Sequence, residues 1–209
     1  MIVVVVESTV MPGQSARALQ SAQDALRRAA SAHSAGRQAR LFQSRIDPSR
    51  FLYLGVWTSR TSFDAIFHAR QHTEFERSLI EPPQPRYFRI VSAFERMLMP
   101  MEIVVCQMVS APSTTGPQLR ACFDAFHARR HEAGPGLILS MVCEEFDEPG
   151  NFVLVSGWQS AEALALGVAV YGGDFERSLA AAGASCQRFL GQTRYDSQQS
   201  RSASVSELV

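Results

Sequence analysis

The chain has 209 residues, 46% of them hydrophobic and 19% charged, which is the composition of a folded globular protein rather than a disordered or fibrous one. The formal net charge is zero and all 20 Lys+Arg positions are Arg, so a Schiff-base lysine, a pyridoxal-phosphate anchor and a P-loop lysine are excluded. The charge is split, with 13 Arg against 8 acidic residues over 1–100 and 7 against 12 over 101–209, but it forms no basic stripe, so nucleic acid is not an expected partner.

The chain opens on an apolar strand at residues 2–7. Its run Ile2 to Val6 is too short to span a membrane and lacks the flanks of a signal peptide, so no membrane association and a cytoplasmic location are expected. A polar turn follows, then a helix with Leu19, Ala22, Gln23, Leu26, Ala29, Ala30 and His33 on one face. Two strands, at 39–46 and 51–57, are joined by a tight Asp47-Pro48 turn and read as a hairpin. A second helix is expected over 61–79 with a break near 70–73, and a last strand over 87–95.

The same order then repeats. A strand at 103–108 leads to a helix with Leu119, Cys122, Phe123, Phe126 and Arg130 on one face. A hairpin of 137–145 and 152–158 follows, then a helix over 161–181 expected to be interrupted at Gly172-Gly173, and a strand over 187–195. The string Phe75-Glu76-Arg77-Ser78-Leu79 recurs unchanged at 175–179. Upstream of it, an acidic-Pro turn, an apolar strand and a terminal Trp recur together, ending at Trp57 and Trp158.

The chain therefore reads as a tandem duplication with a first unit at 1–98, a second at 101–195 and a flexible Ser/Gln-rich tail at 196–209. In the strand 51–57 apolar residues occupy both faces, and helices can cover only one of them. The other face needs a second sheet, and the nearest candidate is the other copy. Cys106, Cys122, Cys143 and Cys186 stand singly, at no metal-ligand or redox spacing, and read as reduced thiols.

The Asp-Pro turn before Phe51, the strand ending in Val56-Trp57, the Ser/Thr-rich start of the next helix and the Phe75 segment together resemble the antibiotic biosynthesis monooxygenase-like branch of the dimeric α/β barrels. The resemblance covers about 95 residues of each copy. It implies an α+β fold in which two ferredoxin-like units form a dimeric α/β barrel within one chain, with a homodimer of that pseudo-dimer left open.

The resemblance also implies a cofactor-independent monooxygenase that acts, with dioxygen, on a small hydrophobic aromatic substrate of phenolic, anthrone or quinonoid type. The alternatives kept are an accessory protein that binds a hydrophobic metabolite and a haem-degrading oxygenase. Haem-degrading members carry an Asn, a Trp and a His at positions that here hold Glu7, Ile66 and Glu76, and Gln107, Gly167 and Arg177 in the second copy. No cofactor and no metal are expected.

A cofactor-free oxygenase needs a base for the substrate proton and an apolar pocket with a few donors. His72, near the helix break, and His33, on the apolar stripe, are the candidate catalytic bases. The bland readings are a solvated or capping His72 and a His33 satisfied by a carbonyl. Tyr53 and Trp57 share a strand face and are the candidate substrate-binding residues, or else core aromatics. His127 and His131 are one helical turn apart, but the metalloprotease Glu is missing and Arg129 and Arg130 would repel a cation.

Overall fold

The computed structural model describes residues 1–32, 36–69, 73–96, 99–130 and 136–197. Its elements are β1 (Ile2–Thr9), α1 (Ser15–Ala32), β2 (Gly36–Ser44), β3 (Arg50–Trp57), α2 (Arg60–Ala69), the single turn α3 (Glu74–Arg77) and β4 (Arg86–Glu95). The second copy runs through β5 (Ile103–Ser110), α4 (Gly116–Arg130), β6 (Leu137–Glu145), β7 (Asn151–Trp158), α5 (Ala161–Ala181) and β8 (Ser185–Asp196).

The strands are hydrogen bonded in the order β1-β3-β2-β8-β5-β7-β6-β4 and close into a barrel. Around that ring each copy contributes its fourth, first, third and second strands in turn, the order of a ferredoxin-like unit. The chain divides into two compact units, one of Met1–Tyr87 with Gly191–Val209 and one of Phe88–Leu190. In the first unit β2 pairs with the end of β8, from Arg40↔Asp196 to Ser44↔Gly191. In the second, β4 from Phe88 onward pairs with β6. Each unit is thus completed by a strand that the sequence assigns to the other copy.

In the first unit, β3 is buried on both faces as its pattern requires, with Phe51 and Leu52 1% and 0% exposed. One face packs with α1, where the buried positions are Ala18, Ala22 and Leu26 and Leu19 is only partly covered. Small residues at 18 and 22 let the helix lie close on Leu41 and Phe51. The β2–β3 turn is closed by side chains: Asp47 accepts from the Ser49 backbone N–H at 3.0 Å and from its hydroxyl at 2.6 Å. In the second unit the position of Ser49 is taken by Gly150 at φ 101°, a conformation that favours glycine. Two routes reach the same hairpin.

The expected break in the second helix is present in the first copy, where α2 ends at Ala69 and α3 starts after Thr73. Thr73 forms a capping box with Glu76: its Oγ1 accepts from Glu76 N–H at 3.3 Å, and its own N–H donates to Glu76 Oε2 at 3.1 Å. The break expected at Gly172-Gly173 is absent, because α5 is continuous over Ala161–Ala181. Gly173 stands at the position of Thr73 and has no side chain with which to start a new helix. Glycine inside a helix costs only about 1 kcal/mol relative to alanine, and the packing of Phe175 and Leu179 in the core outweighs it.

Among the described residues no helix is long and apolar enough to cross a membrane. Cys106 and Cys143 are buried, Cys122 is half-buried and Cys186 is exposed, and all four are free thiols. His127 is buried in the second unit, with Nδ1 3.2 Å from the Ser140 hydroxyl. His131 lies outside the described residues.

Candidate functional site

Between the sheet of the first unit and its helices lies an open cavity of about 770 Å³ including its mouth. The strands contribute Val6, Leu41, Tyr53 and Trp57, the helix α1 contributes Ala22 and Leu26, and α2 contributes Phe63, Ile66 and Phe67. Thr73 and Glu76 supply polar atoms at its edge. The wall is aromatic because β3 turns every second residue the same way, which places Tyr53, Gly55 and Trp57 in one row.

Within that row, the Trp57 indole N–H donates to the Tyr53 hydroxyl at 2.9 Å. The bond passes over Gly55. A Cβ there would overlap the Tyr53 hydroxyl and lie 2.5 Å from Trp57 Nε1, so only glycine leaves room for the two side chains to meet. Phe63 anchors the other wall, edge-on to Trp57 at 5.4 Å between centroids and stacked on Phe67 at 5.1 Å.

Behind this wall is a charged group that the sequence reading did not single out. The Tyr87 hydroxyl donates to Asp64 at 2.5 Å, and the Arg60 guanidinium lies over the Tyr87 ring at 4.1 Å. Burial, followed by the hydrogen bond to the Asp64 carboxylate and its negative charge, pushes the Tyr87 phenol up to about 12. Tyr87 also packs edge-on against Phe63 at 6.1 Å, which ties the ion cluster to the cavity wall. A signal was available: Arg60 and Asp64 are four residues apart on α2 and so share one helix face, with Phe63 beside them at its margin.

Of the four residues singled out from the sequence, Tyr53 and Trp57 are brought together at the cavity wall. His33 and His72 lie outside the described residues. In sequence His72 directly precedes Thr73, and His33 directly follows Ala32, the last residue of α1. The positions compared with haem-degrading proteins are dispersed: Ile66 and Glu76 line the cavity, while Glu7 forms an ion pair with Arg50 at 3.0 Å.

Residues 1–78 match the sequence profile of the family described as Antibiotic biosynthesis monooxygenase. This segment is similar to that family. Several solved structures share the fold of the whole chain. A proposed monooxygenase from Fusobacterium nucleatum superposes with a TM-score of 0.80 at 9% identity, covering 93% of each chain. An anthrone oxidase-like protein superposes with a TM-score of 0.68 at 12% identity, covering 93% of this chain and 92% of its own. A heme-degrading enzyme from Listeria monocytogenes reaches 0.58 at 11% identity, covering 92% of this chain and 99% of its own. At these identities the likeness is one of fold. No curated protein matches the chain in sequence.

The first unit and the second unit can be compared position by position through strand register. Ile2 pairs with Trp57 and Ile103 pairs with Trp158, which sets an offset of 101 through the strands. Gly55 corresponds to Ser156, Tyr53 to Leu154 and Val6 to Gln107. The counterpart of Glu7 is therefore Met108, a correction of one residue to the comparison made from sequence. In the second unit Trp158 donates its indole N–H to Ser156 Oγ at 3.1 Å. Where tyrosine has become leucine, a serine at the glycine position satisfies the indole instead.

Proposed function

We propose that the first unit is a cofactor-independent monooxygenase whose cavity holds a hydrophobic aromatic substrate of phenolic, anthrone or quinonoid type. The reading is supported chiefly by the aromatic cavity whose wall carries the hydrogen-bonded Tyr53 and Trp57. It is further supported by the family of residues 1–78. Tyr53 and Trp57 are the substrate-binding pair, and His72 or His33 is the base.

The chemistry assigned to the site balances without an external reductant. The base takes a proton from an activated C–H or O–H of the substrate, and the resulting anion passes electrons to dioxygen. A methylene flanked by aromatic rings is converted to a carbonyl: one oxygen atom enters the ring system and the other leaves as water with the two hydrogens. All four electrons that reduce dioxygen come from the substrate. A low-polarity aromatic wall favours binding of the flat substrate, and the Tyr53 hydroxyl lies where it can meet a developing oxyanion.

Oxygen uptake with a panel of hydroxyanthrones and hydroquinones tests this. Turnover that falls about 10²–10⁴-fold in His72→Ala or His33→Ala supports the assigned base. Saturable binding of those compounds with no oxygen uptake would replace the enzyme by an accessory metabolite-binding protein.

A further inference from the structure

The second unit has its own cavity, of about 680 Å³ including its mouth, bounded by Val105, Gln107, Phe126, Ser156, Trp158 and Phe175 among others. Its strand positions correspond to those that line the cavity of the first unit, but they carry different chemistry. Gln107 is 5% exposed and Ser156 is 3% exposed, and both line the cavity. In the first unit these positions are Val6 and Gly55, which offer no polar side-chain atom.

The two polar side chains are incompletely satisfied. One end of the Gln107 amide reaches only the Cys186 sulfur, with Nε2 at 3.9 Å, and no polar group of the described residues meets its carbonyl Oε1. Ser156 Oγ accepts the Trp158 indole N–H at 3.1 Å, and no group of the described residues takes its own hydroxyl proton. A polar pair that lines a cavity in one unit and is absent from the other sets the hydrogen-bonding chemistry that a ligand in that cavity would meet.

Strand geometry sets what the partner must look like. Val105 is opposite Ser156 in the β5–β7 register, and Gln107 is two residues along β5 on the same face. The two groups are diagonal neighbours, with Cα atoms about 7–8 Å apart. The Gln107 carbonyl can accept a hydrogen bond and the Ser156 hydroxyl can donate one, and the cavity is bounded by Trp158, Phe126 and Phe175, with the Arg188–Glu176 ion pair also in its lining. We propose that this cavity is a separate binding site for a flat aromatic compound that carries a hydroxyl at one end and a carbonyl at the other. The hydroxyl donates to Gln107 Oε1, the carbonyl accepts from Ser156, and the ring lies among the aromatic side chains. This assignment concerns the second unit alone and does not require that the first unit catalyse oxygenation.

The two tryptophans of the chain, Trp57 and Trp158, provide separate reporters. In ¹⁵N-labelled full-length protein each gives one indole N–H resonance, assigned by its loss in Trp57→Phe. The Trp158 resonance is sensitive to Ser156 because Ser156 accepts its hydrogen bond. Titration with 4-hydroxyacetophenone is expected to shift the Trp158 resonance saturably. The probes 4-methoxyacetophenone, which lacks the donor, and 4-ethylphenol, which lacks the carbonyl, are each expected to bind there roughly tenfold more weakly. Gln107→Leu should weaken 4-hydroxyacetophenone by a similar factor. The proposal is overturned if only the Trp57 resonance moves, if the three compounds titrate Trp158 alike, or if folded Gln107→Leu binds as the parent does. Should that variant fail to fold, the comparison of the three probes on the unaltered protein decides the matter.

Discussion

Trp57 and Tyr53, four residues apart on one strand, are joined by a 2.9 Å hydrogen bond that crosses a glycine. The bond fixes both rings at the cavity wall and makes the tyrosine oxygen an acceptor toward the protein. Tyr53→Phe removes that acceptor and leaves the indole N–H in a half-buried setting. A stability loss of about 1–2 kcal/mol is expected, read by denaturant unfolding, together with a fall in substrate affinity that exceeds the fall in Trp158→Phe.

Gly55→Ala is expected to damage the same site by overpacking. The added Cβ would overlap the Tyr53 hydroxyl and crowd Trp57 Nε1, forcing both rings from their positions at about 1–3 kcal/mol. The indole N–H resonance of Trp57 should move in this variant while that of Trp158 stays in place. An unmoved Trp57 resonance would show that the row has more room than its geometry implies.

Tyr87 gives a prediction in pH. Its phenol is raised to about 12 by burial first and then by Asp64, so ultraviolet titration of the folded protein should show one of the four tyrosines ionising about two pH units above the ordinary value of 10. A group whose folded pKa is raised contributes its full stability below the unfolded value. Stability should therefore decline as pH rises from about 10 through about 12. Asp64→Asn removes the hydrogen-bonded charge, so the phenol should titrate lower than in the parent.

Arg40 and Asp196 form a buried ion pair at 2.9 Å, with side chains 4% and 5% exposed, between β2 and the end of β8. Arg40→Leu takes the guanidinium away from a buried carboxylate, with an expected loss of about 3–5 kcal/mol in chemical denaturation. Arg40→Leu combined with Asp196→Leu should recover much of that loss. If the double variant were as unstable as the single one, the cost would lie in strand packing rather than in the lost ion pair.

The repeat and its hairpins were legible because they depend on local chemistry. Asp47 and Pro48 encode a turn through side-chain hydrogen bonds and a fixed φ, and a strand apolar on both faces announces cover on both sides. The helix break was legible in one copy and misread in the other for a related reason. Thr73 supplies a cap and restarts the helix, while Gly172 and Gly173 merely weaken it, and a weak local preference yields to packing.

Local patterns alone determined that the chain is two copies of one α+β unit with a Trp-terminated strand in each, and they selected Tyr53 and Trp57 from that strand. Only the tertiary structure decided that the closing strands change units, so that Asp196, read from sequence as the start of a tail, ends β8 and pairs with Arg40 across 156 residues. It also decided that one indole bonds to a tyrosine over a glycine while the other bonds to a serine, and that Gln107 faces a cavity. Register is the physical reason. A strand's sequence states which residues share a face, but which strand lies beside it, and at what offset, is settled by hydrogen bonds and packing among residues far apart in the chain.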